Sequence, residues 1–483
     1  MSERDGFDTI IRGGLLVSPE GSHVSDIGVR GEKIAAIGPA GTLTGGASII
    51  EAGGFHVLPG LVDPHTHPGN YRPLEMDVRS ETVSAAVGGV TTMIGTVKST
   101  RMGPQSPTAG SYLEVFDSVR KTCDELAHVD TAFSFVVMNG LQAREIGAAG
   151  DECGVRSFKF FVTFPPETPW GAHVGMPVFP DDAALFEGLR QCAATGSLAM
   201  LHAENAQIVR APAVDARGQA TDLTEWEARF PGFLEASEIR KVSFLAGQLG
   251  TKIYIVHVSS MEGLEAVEKA RAEGVPVVAE TCPQYLILNA DEHATRGPLA
   301  KFNPPVRGRQ HGQSLWEAVA DGRIDCLGSD HIPSMRQNKM PDSTFDSAHP
   351  GSPGVATLLP LLWTFGVAAG RLTPERLVEV CCAGPARAFE LHPRKGTLAP
   401  GADADLVIVD GTTRKAVDPG VLFSSSDWSA YEGMELTGWP RLTMLRGAVV
   451  ARDGEPIGRP RGRYLSRPYG SAALGDESGG DAL

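Results

Sequence analysis

Two histidines, His65 and His67, stand two positions apart directly after an apolar run at 57–62. In extended backbone, residues i and i+2 point to the same side, so both imidazoles can face one point in space. Two neutral imidazoles converging at a strand end suit a divalent cation better than a packed core. The pair alone is a weak signal, and its weight depends on partners at the ends of later strands. Four such residues occur. Lys159 lies within Ser157-Phe-Lys-Phe-Phe-Val, His202 ends the run at 198–201, His257 ends that at 252–256, and Asp330 follows that at 324–328. One buried histidine is more often a satisfied core residue, but four of them at the same end of three different apolar runs are far harder to place by chance. Lys159 is flanked by aromatic side chains, where an isolated ammonium is costly to bury. Either it snorkels to the surface, or its amine is kept neutral or chemically converted so that it can bind cations. Asp330 can serve as a ligand, a general base or both, and its bland alternative is a helix N-cap.

These residues need a scaffold that brings distant strand ends together. Apolar runs at 57–62, 90–95, 132–138, 157–162, 198–201, 252–256, 276–279 and 324–328 read as buried strands. Amphipathic segments at 182–195, 235–249 and 260–273 read as helices between them. Eight strands with helical crossovers predict an α/β fold, a (β/α)₈ barrel over residues 58–392, with its chemistry at the C-terminal strand ends. An open doubly wound sheet would show a glycine-rich phosphate loop after its first strand, and none follows Val62. Residues 1–57 and 393–460 alternate short β-like runs with glycine turns, so the two chain ends are expected to build one small β-sandwich domain together. Residues 461–483 form a tail whose last part is rich in Gly, Ser, Asp and Ala and is expected to lack fixed structure.

Composition narrows the function. A chain of 483 residues can bury a large core, and its net charge of −15, with no basic stripe, argues against nucleic acid. The polar, acidic start MSERDGFD carries no secretory signal, and the apolar stretch at 353–370 is too short and too interrupted to span a bilayer. Seven irregularly spaced cysteines without a C-x-x-C pair predict reduced thiols in a cytoplasmic protein and no thiolate metal site.

The segments Gly60-Leu-Val-Asp-Pro-His-Thr-His, Ser157-Phe-Lys-Phe-Phe, Leu201-His-Ala-Glu-Asn, Val256-His-Val-Ser-Ser, Glu280-Thr-Cys-Pro-Gln-Tyr-Leu, Asn303-Pro-Pro-Val-Arg and Gly328-Ser-Asp-His resemble the amidohydrolase superfamily, and within it the cyclic amidases: D-hydantoinase, dihydropyrimidinase and allantoinase. They run through the entire barrel, as does the resemblance. It implies two divalent cations, one held by His65, His67 and Asp330, the other by His202 and His257, with Lys159 converted by CO₂ to a bridging carbamate. Oxygen and imidazole donors favour zinc, with manganese, cobalt or iron as alternatives. The implied reaction is attack of a metal-bridging hydroxide on a cyclic amide such as a hydantoin, dihydropyrimidine, allantoin or related imide, with Asp330 carrying the proton to the leaving nitrogen. The resemblance also implies a homo-oligomer, a tetramer or a dimer.

The substrate-facing positions depart from that pattern. The tyrosine that holds the developing oxyanion in hydantoinases and dihydropyrimidinases, five residues after the lysine, is here Phe164, which has no hydrogen bond to give. A serine before the Pro-Pro pair is here Asn303, and an asparagine before the Gly-x-Pro-Gly turn is here Pro350. Tyr71, His173 and Asn303 are the candidates to replace the lost contact, each with an ordinary polar loop residue as the alternative. The stiff loop at 164–175 can wall the pocket or simply connect elements. Dihydroorotases carry an arginine shortly after His-x-His; Pro68 and Gly69 stand here instead. A metal-free scaffold, known among dihydropyrimidinase relatives, and a hydrolase of non-cyclic amides remain as alternative functions.

Overall fold

The computed structural model describes residues 6–99, 110–162, 181–209, 220–291, 294–340 and 344–467. Eight parallel strands form the central sheet, in sequence order Leu61–Thr66, Val90–Val97, Asp130–Val136, Ser157–Val162, Leu198–Ala203, Ile253–Ile255, Val277–Thr281 and Cys326–Leu327. Each neighbours the next in the chain, as the barrel expectation requires. The circle is drawn shut between first and last strands. Thr66 bridges His331 in parallel, the His67 N–H donates to the His331 carbonyl at 2.8 Å, and the Ser329 N–H donates to Asp63 Oδ1 at 3.0 Å. Burial lifts the Asp63 carboxyl to about 6, against the hydrogen bonds from Ser329 and His65.

The expected helix at 182–195 is observed as Asp182–Thr195, capped by Asp181, whose side chain accepts from the Ala184 N–H. Glycine ends it: Gly196 takes φ 65°, a left-handed conformation that stops the helix. Met261–Ala272 follows the sixth strand in the same way, with Ser260 as its N-cap. The first buries Leu185, Gly188, Leu189 and Cys192, and the second Leu264, Ala266, Val267 and Ala270.

One sequence expectation is corrected. The run at 57–62 is not a single strand. His56–Pro59 pairs with Phe7–Ser18 and Leu406–Asp410 in the other sheet, and the barrel begins afresh at Leu61. The break falls at Gly60, where a Cβ would lie 2.2 Å from Thr91 Oγ1, so the chain changes sheets at a point of close approach. Continuous hydrophobicity cannot reveal such a change, because both pieces are buried.

That second sheet has nine strands, is mainly antiparallel, and draws on both chain ends. From one edge it runs Glu455–Pro456, Ala448–Arg452, Trp439–Leu445, Leu406–Asp410, His56–Pro59, Phe7–Ser18, Gly21–Arg30 and Lys33–Pro39, with Gly46–Glu51 also paired to Phe7–Ser18. Ile11, Ile27, Val57, Leu406 and Met444 share one buried cluster, so residues far apart in sequence complete one core. Beyond the sheet, the chain returns to the barrel, where Leu465 N–H donates to the Thr131 carbonyl at 2.7 Å. All seven cysteines are free and buried. Among the described residues no helix is long and apolar enough to cross a membrane.

Barrel and terminal sheet are pinned by a buried charge network. Lys395 Nζ donates to Asp130 on the third strand at 2.6 Å, to Asp403 at 2.9 Å and to Asp405 at 2.6 Å, while Arg446 also pairs with Asp130. These carboxylates hold the Lys395 ammonium well above its usual pKa despite burial. Lys395→Met removes the one cation that Asp130, Asp403 and Asp405 share, leaving Asp130 to Arg446 and Asp403 to Lys33 and Arg394. It is expected to cost about 3–5 kcal/mol of stability, read as the urea midpoint at neutral pH, whereas removing an exposed pair such as Arg120 and Asp117 is expected to cost well under ~1 kcal/mol.

Candidate metal centre

The polar residues that end the barrel strands meet. His65 and His67 lie at the end of the first strand, and their Nε2 atoms are 3.2 Å apart. Asp330 Oδ1 is 2.9 Å from His67 Nε2 and 3.5 Å from His65 Nε2, so three donor atoms surround one point. On the fourth strand, Lys159 is fully buried, with Nζ 3.2 Å from His65 Nε2 and 5.1 Å from the centre of the Phe161 ring. His202 ends the fifth strand and His257 follows the sixth, with His257 Nε2 3.0 Å from His202 Nδ1. The His65 and His257 rings stack at 5.5 Å, which joins the two groups into one cluster. All six sequence candidates for cation binding are therefore brought together at the C-terminal mouth of the barrel.

Two of them sit on unusual backbone. His257 has φ 41° and Asp330 φ 50°, left-handed conformations that cost a non-glycine residue roughly 1–3 kcal/mol. Both turn a side chain back over the barrel mouth immediately after a strand. Gly328 gives His65 and Glu280 room beside it, since a Cβ there would lie 3.1 Å from that of His65 and 3.0 Å from Glu280 Oε2.

Carboxylates behind the histidines fix which nitrogen faces inward. His65 Nδ1 donates to Glu280 Oε1 at 2.8 Å, which leaves the Nε2 lone pair for the centre. His202 Nε2 contacts Glu204 at 2.8 Å, which leaves Nδ1 inward. Glu280 also accepts from the Tyr254 hydroxyl at 2.8 Å and the His257 N–H at 3.0 Å, so one carboxylate holds parts of both groups. Burial raises Glu280 to about 7, opposed by the Tyr254 hydrogen bond and the Lys159 charge. Burial pushes His65 and His257 far below the ordinary imidazole value, and neighbouring cationic groups add to it. His67 also falls, with Asp330 opposing. Burial brings Lys159 down to about 8. Asp330 stays below the usual carboxylate range, because His65, His67 and Lys159 outweigh the effect of its burial.

This donor set fits divalent cations. Nitrogens on one tetrahedral zinc at roughly 2.0–2.1 Å stand about 3.3 Å apart, close to the separations seen here. Uncharged imidazoles with converging lone pairs gain nothing from one another, and a cation between them removes the conflict.

Around the cluster, Asn303, Tyr71, Lys98, Phe161, Ile332 and Pro350 line one pocket. Asn303 Nδ2 donates to Glu204 at 2.8 Å, and its Oδ1 has no hydrogen-bond partner among the described residues. Tyr71 stacks on His349 at 5.4 Å. Phe164 and His173, the other two substrate-contact candidates, and the loop at 164–175 lie outside the described residues, apart from which the pocket wall is defined. Its Pro350–Gly351 side is held from behind by buried Lys339, whose ammonium donates to the carbonyls of Lys301 at 2.8 Å, His349 at 2.6 Å and Gly351 at 2.8 Å. Sequence reasoning passed over Glu280, Glu204, Lys98 and Lys339. Glu280 carries the same signal as the histidines, a polar residue ending an apolar run; Lys339 lies in a loop with no such mark.

The sequence pattern of the amidohydrolase family matches residues 56–450. An L-hydantoinase of Paenarthrobacter aurescens is 36% identical over 462 residues, covering 93% of this chain and 96% of that protein. An allantoinase of Rubrobacter xylanophilus is 35% identical over 466 residues, covering 95% and 97%. The solved L-hydantoinase (dihydropyrimidinase) from Arthrobacter aurescens superposes with a TM-score of 0.87 at 36% identity, covering 95% of this chain and all of that one. The chain belongs to the amidohydrolase family.

Glu280→Gln keeps the volume but removes the charge that orients His65. It is expected to weaken zinc binding roughly 10–100-fold in a chelator competition while the far-UV circular dichroism stays unchanged. Unchanged affinity would show that Glu280 does not set the donor geometry.

Proposed function

We propose that this amidohydrolase opens a cyclic amide by hydrolysis, in the hydantoin, dihydropyrimidine, allantoin and cyclic imide class. The observation that carries the reading is the convergence of four imidazoles, one carboxylate and one buried lysine at the barrel mouth. The relatives named hydantoinase and allantoinase support the substrate class.

In this reading His65, His67 and Asp330 hold one cation, and His202 and His257 hold the second. Lys159 lies against His65 and is converted by CO₂ to an anionic carbamate serving both. Its low pKa favours that chemistry, since the neutral amine is the form that adds to CO₂ with loss of a proton. When bound, the cations, zinc first and manganese, cobalt or iron as alternatives, acidify a water molecule and polarise the scissile carbonyl.

The remaining work falls to the chain's own groups. Asp330, held as a carboxylate, accepts a proton from the attacking water and returns it to the leaving ring nitrogen. Asn303 offers its open Oδ1 to a ring N–H, and its other arm is fixed by Glu204. Tyr71 keeps its hydroxyl protonated, since burial raises its pKa, and is the described candidate for the hydrogen bond that Phe164 cannot give. On the same footing the chain assembles as a homotetramer or dimer and works in the cytoplasm, where its seven free thiols stay reduced.

The deciding experiment is a ring-opening screen of hydantoins, dihydrouracil, allantoin and cyclic imides with zinc-loaded protein, set beside Lys159→Ala. Wild type is expected to hold about two metal equivalents per chain and to open at least one ring class. The variant is expected to lose metal and activity together and to recover both with added short carboxylic acids. A wild type that binds no metal, or a variant that retains full activity, overturns the reading.

A further inference from the structure

His331 stands directly after Asp330 and is buried, and it ties together the segments that carry His67 and Asp330. Its carbonyl accepts the His67 N–H at 2.8 Å, and its own N–H donates to Ser329 Oγ at 3.1 Å. The imidazole is fixed at both nitrogens. Nδ1 accepts the Gly354 N–H at 3.0 Å, so the ring proton sits on Nε2, which donates to Glu81 Oε2 at 3.0 Å. With both nitrogens taken, this ring is not itself a donor to a cation. Glu81 lies on the helix Leu74–Val87, which follows the first barrel strand, and is only 1% exposed. Its Oε2 also accepts from the Ser424 hydroxyl at 2.6 Å, and its Oε1 from the Ser425 N–H at 2.9 Å and the Ser80 hydroxyl at 2.6 Å. Ser424 and Ser425 lie beyond the barrel, between Leu406–Asp410 and Trp439–Leu445. Helix, eighth-strand loop and a late segment of the chain therefore meet at one carboxylate. One turn earlier on the same helix, Asp77 Oδ2 accepts the Gly69 N–H at 2.7 Å, so the chain leaving His67 is held there too.

Resting on the ring-opening reading, we infer that Glu81 is a positioning residue that acts on Asp330 and His67 through His331. Asp330 needs such support. It holds φ 50°, a left-handed conformation that a non-glycine residue keeps only when its surroundings over-determine it. Hydrogen bonds from Ser329 to Asp63 fix the residue before it, and the Glu81–His331 contact fixes the residue after it. The backbone at 330–331 then cannot shift without breaking a buried, charge-assisted hydrogen bond. Any such shift would move two things at once: the His331 carbonyl that holds the His67 N–H, and Asp330 Oδ1, which lies 2.9 Å from His67 Nε2. Glu81 differs in this from Glu280. Glu280 touches His65 itself, whereas Glu81 touches none of the six clustered side chains among the described residues and reaches them only through His331.

The test uses full-length protein in two forms: cobalt(II)-loaded, whose visible absorption reports donor geometry without turnover, and zinc-loaded, for ring-opening kinetics. Glu81→Gln keeps the volume and is expected to lower kcat roughly 10–100-fold with little change in KM, and to shift the cobalt spectrum. His331→Gln is expected to do the same. The double variant is expected to lose no more kcat than the worse single variant, because the two residues act along one chain of contacts. Additive losses would overturn the route through His331. Glu81→Gln with wild-type kcat and an unshifted spectrum, even if it melts earlier, would mark a structural contact alone and sink the positioning role without touching the ring-opening reading. A wild type that takes up cobalt but opens no ring, with a spectrum that Glu81→Gln shifts, would sink the ring-opening reading and leave the positioning role standing. A wild type that takes up neither cobalt nor zinc overturns both. If Glu81→Gln does not fold, His331→Gln decides on the same two readouts, and full kcat with an unshifted spectrum there overturns the inference.

Discussion

A single buried carboxylate underlies the order of the barrel mouth. Glu280 has no exposed surface, and its two oxygens accept from His65 Nδ1, the His257 N–H and the Tyr254 hydroxyl. A buried charge is tolerated only when its acceptor sites are filled, so each of these groups is held as firmly as Glu280 needs it. The strain at His257 is offset in the same place, because its backbone N–H is one of those donors. Lys159 feels the same carboxylate, which favours its charged form against burial. Orientation of the imidazoles, backbone strain and lysine chemistry thus share one support.

The rest of the molecule keeps that support in register. Strand order places the ends of the first, fourth, fifth and sixth strands around one axis, and the eighth strand reaches the first through Asp63 and Ser329. Above, the wall at Pro350 and Gly351 depends on Lys339, an ammonium held by three carbonyls. Burial and the neighbouring Lys301 push its pKa down, and backbone carbonyls, not a carboxylate, are what hold the nitrogen in place. The clustered imidazoles and Asp330 lie at strand ends, while the pocket wall at Pro350 and Gly351 rests on loops, so the wall can change without disturbing the cluster.

Much of this was legible in the chain because a barrel converts sequence position into spatial position. A polar residue after an apolar run lands at the mouth, and that rule gathered His65, His67, His202, His257 and Asp330, while Lys159 stood out as a charge inside an apolar run. The same rule covers Glu280 after Val277, Val278 and Ala279, but the eye reads a glutamate there as an ordinary strand end. Lys98 escaped for a different reason. The second strand was expected to stop at Gly95, yet pairing continues to Val97, and two residues of register move Lys98 from loop to pocket. The switch of sheets at Gly60 was hidden because the close approach to Thr91 there is a tertiary contact, which no local pattern encodes. Lys339 was hidden likewise, since its three acceptors are backbone atoms of distant residues.

The terminal sheet carries a consequence for how the polypeptide matures. His56–Pro59 is sandwiched between Phe7–Ser18 and Leu406–Asp410, so the strand leading into the barrel lacks one neighbour until the ribosome has added some 350 residues more. During that interval the exposed flank of the early hairpins is a sticky edge, open to pairing with whatever chain drifts past. Closure therefore comes late: only a polypeptide translated past Asp410 can seal its own beginning.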